Sequence, residues 1–122
     1  MKKLAAGVLA FRVAYGAALL IAPGKVAGNR WLGPGAHQPA ATVALRGLGA
    51  REVALHGIAL AMLARDAPLR PWLAASIAGD LADIAAAFAS GKGLPEGSPA
   101  ATAVVAGGSA ALTAAVAASL DA

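Results

Sequence analysis

Arg46-Gly-Leu-Gly-Ala-Arg51-Glu52-Val-Ala-Leu-His56 places two guanidiniums, a carboxylate and an imidazole in the middle of an apolar segment running from about Ala40 to Leu63. At about 1.5 Å per residue such a helix is long enough to cross a hydrocarbon core of roughly 30 Å. Charges at that depth are costly, and they are kept where they pair with one another or perform chemistry. The rest of the chain reads as scaffold and counter-charge for this segment.

Three further apolar runs flank it. Leu4 to Ala22 has Lys2 and Lys3 ahead of it and is stopped by Pro23-Gly24. Pro71 to Ser90 follows the break at Arg65-Asp66-Ala67-Pro68, with Pro71 in the first turn and Trp72 at the interface, and Gly91-Lys92-Gly93 ends it. The last run reaches Leu120, with Ser98 as its N-cap and Pro99 at its first position. The connection from Lys25 to Pro39 suggests a short surface helix over Val26 to Leu32, Trp31 as an interfacial anchor and a solvated His37. The fold expected is all-α: one domain over residues 1–122, an antiparallel bundle of four transmembrane helices with a buried charged cluster.

Composition agrees. The chain is 59% hydrophobic, 13% charged and 4% aromatic, with a mean hydropathy of +0.70, where a soluble domain carries about a quarter charged residues. Ala and Gly dominate, so helices should approach through small residues; Gly47, Gly49, Gly57 and Gly107-Gly108 are candidates for close contact. No cysteine is present, which excludes disulfides, thiolate metal sites and a cysteine nucleophile. The net charge is +4, but there is no basic stripe with interleaved aromatics, so nucleic acid is not the expected partner. Lys2, Lys3, Arg65 and Arg70 on one side against Lys25, Arg30 and Lys92 on the other place both termini on the cytoplasmic face of the inner (plasma) membrane. Arg12 interrupts the first apolar run and Pro23 follows Ala22, so that run is read as a retained helix rather than a cleaved signal.

Sorted by depth, Arg12, Arg46 and Arg51 lie within the spans against Glu52, Asp80 and Asp83, a balanced set that low-dielectric burial favours. In an antiparallel pairing of the second and third spans, Arg46 falls near Asp83 and Arg51 near Asp80, with Arg12 reaching the same cluster. Asp80 and Asp83 share a helix face, as do Glu52 and His56, whose i, i+4 spacing lets them share a proton. Arg51 points about 140° away from Arg46 at 100° per residue. Three roles fit these residues. Glu52, His56, Asp80 and Asp83 can act as acids and bases, with Arg12, Tyr15, Arg46 and Arg51 holding or orienting a substrate. The same charges can form an ionic clasp that only fixes helix register. Glu52, His56, Asp80 and Asp83 as metal ligands are disfavoured because the arginines compete for the carboxylates. No metal or cofactor is therefore expected. The Gly-Leu-Gly-Ala-Arg run is no phosphate loop, since no strand precedes it and no Lys-Ser/Thr follows.

These residues carry a resemblance. Arg12 to Pro23, Trp31-Leu32-Gly33-Pro34, Arg46-Gly-Leu-Gly-Ala-Arg51-Glu52, Trp72 and Gly79-Asp80-Leu-Ala-Asp83 together resemble a group of small, functionally uncharacterised actinobacterial membrane proteins, distantly DoxX-like. The likeness covers the first three helices and implies a four-helix membrane fold without implying an activity. The Ala50-Arg51 dipeptide is also similar to part of the motif of alcohol-phosphatidyl-type transferases, but the Asp-Gly that should precede it is Leu48-Gly49 and the downstream aspartates are missing from that helix. The preferred functional expectation is binding of a small lipophilic molecule, with isomerase or cyclase chemistry by acid-base catalysis. The alternatives are a non-catalytic subunit or assembly factor held by ion pairs, or an oligomeric proton-coupled transporter. Expected partners are the lipid bilayer, a lipophilic small molecule, and further copies of the chain or a larger membrane complex.

Overall fold

Proline and glycine set the helix boundaries. The computed structural model describes residues 2–28 and 31–120. Helix α1 spans Lys2–Ile21 and ends where Pro23 forbids continuation; Pro23 opens a short helix α2, Pro23–Ala27. A 3₁₀ turn, Gly33–His37, leads into α3, Pro39–Ala64, again with proline in the first turn. Helix α4, Arg70–Ala89, and α5, Ser98–Leu120, complete the chain. The four long helices fall within two residues of the bounds read from sequence. The connection after α1 differs: the expected helix over Val26 to Leu32 is replaced by α2 one turn earlier, while Asn29 and Arg30, and with them part of that expectation, lie outside the described residues. His37 is exposed, as read.

The turn from α3 to α4 is a Schellman closure. The Ala67 N–H donates to the Met62 carbonyl at 2.9 Å and the Asp66 N–H to Leu63 at 3.2 Å, with Asp66 in the left-handed region at φ 53°. Glycine is the usual occupant; here aspartate fills the position, its carboxylate pairs with Lys2, and Pro68 follows.

Helix α1 runs antiparallel to α3 and α4 antiparallel to α5, and these two pairs stack to form the bundle; α1 and α5 touch little. Gly16 and Gly49 set the α1–α3 crossing. A Cβ on Gly16 would lie 2.7 Å from the Gly49 carbonyl oxygen, and one on Gly49 2.6 Å from the Gly16 carbonyl oxygen. Only residues without side chains permit that approach. Gly47, Gly57 and Gly108 have nothing within 4 Å of a built Cβ, and Gly107 only a distant Ile84 methyl, so the close contact expected of them falls to Gly16 and Gly49 instead.

All four long helices are long and apolar enough to cross a membrane. Between 17% and 28% of the most apolar window of each is buried inside the bundle. Phe11, Ile21, Val43 and Val104 point outward. A bundle with its large apolar side chains outside suits a lipid environment.

Inside, two apolar clusters are separated by a polar layer. One, near the chain ends, joins Ala5, Leu9, Ala59, Leu69, Leu73 and Val116. The other joins Leu19, Ala27, Ala36 and Leu45, with Trp31 packed against it. Trp31 is thus part-buried packing, not purely an interfacial anchor. Its carbonyl accepts from the Ser98 hydroxyl, so Ser98, at the start of α5, also ties that helix to the first connection.

Candidate functional site: a guanidinium clasp beside an apolar cavity

Arg12 lies one turn before Gly16, and Glu52 three residues after Gly49. The glycine crossing therefore brings a guanidinium and a carboxylate together at mid-height. Arg12 Nε donates to Glu52 Oε2 at 3.0 Å and Nη2 to Glu52 Oε1 at 3.0 Å. From α4, Asp80 receives Nη1 at 2.7 Å and Nη2 at 2.6 Å. Nη1 also donates to Thr113 Oγ1 of α5 at 3.3 Å. All five guanidinium N–H groups are used, and all four long helices contribute. Arg12, Glu52 and Asp80 are 6%, 3% and 3% exposed. Charges so far from solvent persist only when paired and hydrogen-bonded to this degree.

His56 extends the layer. Its Nδ1 lies 2.8 Å from the Glu52 backbone carbonyl and its Nε2 2.7 Å from Ser76 Oγ. A carbonyl only accepts, so Nδ1 carries the hydrogen, and in the neutral ring Nε2 accepts from the Ser76 hydroxyl. Nδ1 is also 3.2 Å from Glu52 Oε2, so the i, i+4 contact expected of Glu52 and His56 is present. Arg51 reaches around the flank to Asp83 at 2.9 Å and lies 3.6 Å from Glu52.

The ion-pair partners differ from the expected ones. Asp83 takes Arg51, not Arg46, and Asp80 takes Arg12, not Arg51. Arg46 is exposed and has no ion pair among the described residues, so the cluster does not include it. The reason is rotational. The buried face of α3 is Leu45, Gly49, Glu52, His56 and Ala59, and α4 lies on the flank where Arg51 can reach. Arg46, about 140° round from Arg51, is left on the opposite flank. Its position eight residues into a helix roughly 39 Å long lets its stem carry the charge toward an interface. Without Arg46, the interior set is unbalanced: three carboxylates meet two guanidiniums, a formal charge of −1 while the His56 ring is neutral.

Beside the clasp, between the α1–α3 and α4–α5 pairs, is a cavity of about 320 Å³. Phe11, Val26, Trp31, Leu48 and Val105 supply apolar wall, while Arg12, Tyr15, Glu52, Asp80 and Asp83 supply the polar side. Phe11 and Val105 are exposed and stand at the outer margin. Thr102 also lines it, and its hydroxyl is buried with no partner among the described residues. Of the candidate residues named from sequence, Arg12, Tyr15, Glu52, Asp80 and Asp83 face the cavity; Arg51 and His56 support it from behind. Among the described residues, no three His, Asp or Glu side chains come together in a way that would hold a metal ion.

Sequence reasoning missed Ser76, Thr102 and Thr113. The signal was present. Ser98, Thr102, Ser109 and Thr113 recur at helical spacing along one face of an otherwise Ala- and Val-rich helix, and Ser76 sits one turn before Asp80.

The fold and site define an all-α bundle of four membrane-length helices closed around a buried charged cluster. No protein-family model matches the chain, and no curated protein or solved structure matches it significantly.

Proposed function

We propose that the chain is a multi-pass membrane protein that binds a small lipophilic molecule in the cavity beside its guanidinium clasp. The observation that carries this reading is the cavity itself, about 320 Å³ of mostly apolar wall with polar groups on one side, within the roughly 300–1,000 Å³ range of small-molecule sites. Saturation of Arg12 favours a scaffold role for Glu52 and Asp80, which hold the four helices open at a fixed spacing. Any acid-base turnover, of the isomerase or cyclase kind, would then fall first to Asp83, the cavity carboxylate that Arg12 does not hold. The resemblance to small DoxX-like membrane proteins is part of the same reading. So is the orientation: Lys2 and Leu120 border one end of the bundle along with Asp66 and Arg70, and the excess of Lys and Arg at that end suits the cytoplasmic face.

Native mass spectrometry of the detergent-purified protein tests the binding reading. A retained small molecule in the wild type, lost from Val105→Trp, is the expected result, because position 105 lines the cavity at its margin and an indole there takes up room in it. Absence of any retained molecule, or equal occupancy in Val105→Trp, contradicts it.

A further inference from the structure

Two independent features of the cavity wall bear on what the occupant carries. The first is the carboxylate surplus. Both Asp80 oxygens and both Glu52 oxygens receive Arg12. At Asp83 only Oδ2 is engaged, by Arg51, and Oδ1 accepts no hydrogen bond among the described residues. The cavity wall thus presents a carboxylate oxygen with spare accepting capacity in a cluster short of one positive charge.

The second is Thr102. The residue is 8% exposed, and its hydroxyl has no partner although it borders the cavity. A helical threonine normally returns its hydroxyl to the carbonyl four residues back, as Thr113 does to Ser109 at 2.8 Å. Thr102 forgoes that bond, and a buried hydroxyl left unpaired is destabilising. A ligand offering hydrogen-bond donors removes the deficit at Thr102 and adds a partner at Asp83, whose side chain is 34% exposed; an anionic ligand would add charge to a set that is already negative.

Resting on the ligand-binding reading above, we propose that the occupant is a lipophilic amine. Its ammonium donates to Asp83 Oδ1, it meets the Tyr15 and Thr102 hydroxyls within the same cavity, and its hydrocarbon body lies against Phe11, Leu48 and Val105. The exposed Phe11 and Val105, flanking the sparsely packed α1–α5 seam, form a lateral mouth through which such a molecule enters from the hydrocarbon phase. A volume of about 320 Å³ admits a compact one-body ligand and excludes a two-chain phospholipid.

The test is calorimetric titration of the detergent-solubilised protein with three probes of one body: 1-adamantylamine, 1-adamantanol and adamantane-1-carboxylate. Val105→Trp protein serves as the blank for micelle partitioning. The amine is expected to bind the wild type at least about tenfold more tightly than the alcohol, as a charge-assisted hydrogen bond implies, and the carboxylate to bind more weakly than either. Asp83→Asn should bring the amine down to the affinity of the alcohol, and Thr102→Val should weaken the amine about threefold or more. Equal affinity for amine and alcohol, or an amine preference that survives Asp83→Asn in folded protein, overturns the proposal. If Asp83→Asn does not fold, the wild-type amine-to-alcohol ratio decides alone. If no probe binds yet a native molecule is retained by the wild type, the amine assignment fails and the cavity reading stands. No probe binding and no retained molecule removes both.

Discussion

Two neighbouring parts of the polar layer use the same kinds of side chain in opposite ways. At the bundle centre Arg12 uses every N–H it has on Glu52, Asp80 and Thr113, so one side chain from α1 is tied to each of the other three long helices. About one turn along α4 from Asp80, Asp83 keeps an oxygen without a donor, and about three turns along α5 from Thr113, Thr102 keeps a hydroxyl without a partner, among the described residues. Saturation is what a scaffold needs, because each missing partner at that depth is costly. Unused capacity beside an apolar cavity is what recognition needs, because the missing partner is then supplied by the ligand.

The sharpest way to break this contrast is at its saturated end. Asp80→Asn leaves Arg12 with one carboxylate and should cost about 3–5 kcal/mol in chemical denaturation of the detergent-solubilised protein. An unchanged midpoint would show that the guanidinium is solvated. Replacing Arg12, Glu52 and Asp80 together with Met, Met and Leu should recover much of that loss, since an apolar centre removes the desolvation penalty along with the pairs.

The glycine crossing comes next. Gly16→Ala or Gly49→Ala forces a methyl within 3 Å of backbone and should cost about 1–3 kcal/mol. Gly47→Ala and Gly57→Ala meet open space and should gain up to about 1 kcal/mol from helix propensity. Thermal melts of the four variants should separate into two pairs of opposite sign. Ser76→Ala, which strands His56 Nε2, should cost about 1–3 kcal/mol.

At the unsaturated end the expected effect is the smallest. Thr102→Val removes a hydroxyl that has no partner, so the melting midpoint of ligand-free protein should stay the same or rise slightly. A drop comparable to that of Ser76→Ala would mean that Thr102 is holding the bundle together rather than waiting for a ligand.

The four spans could be read almost to the residue because proline, glycine and apolar run length act locally. The same holds for the depth of Arg12, Glu52, His56 and Asp80, which follows from counting along each helix. The pairing could not be read, because it depends on how far each helix is turned about its own axis. That angle is set by the Gly16–Gly49 contact between segments 33 residues apart, and by α4 taking Arg51's flank rather than Arg46's. Both arginines share one helix and one motif, and nothing local distinguishes them. Thr102, Thr113 and Ser76 are hard to read for a different reason: single hydroxyls among alanines carry little weight until the partner, or its absence, is known.

Arg12 and Arg46 therefore give the most direct test of the central claim, that one guanidinium locks the four helices while a second within the same bundle does not. Arg12→Lys and Arg46→Lys both keep the charge and lose the planar fork. Measured side by side by chemical denaturation in the same detergent, Arg12→Lys should lose a few kcal/mol, since one ammonium with three donors cannot serve Glu52, Asp80 and Thr113 as the guanidinium does. Arg46→Lys should shift stability by no more than about 0.5 kcal/mol. Equal losses in the two variants, or the larger loss at Arg46, would contradict the clasp.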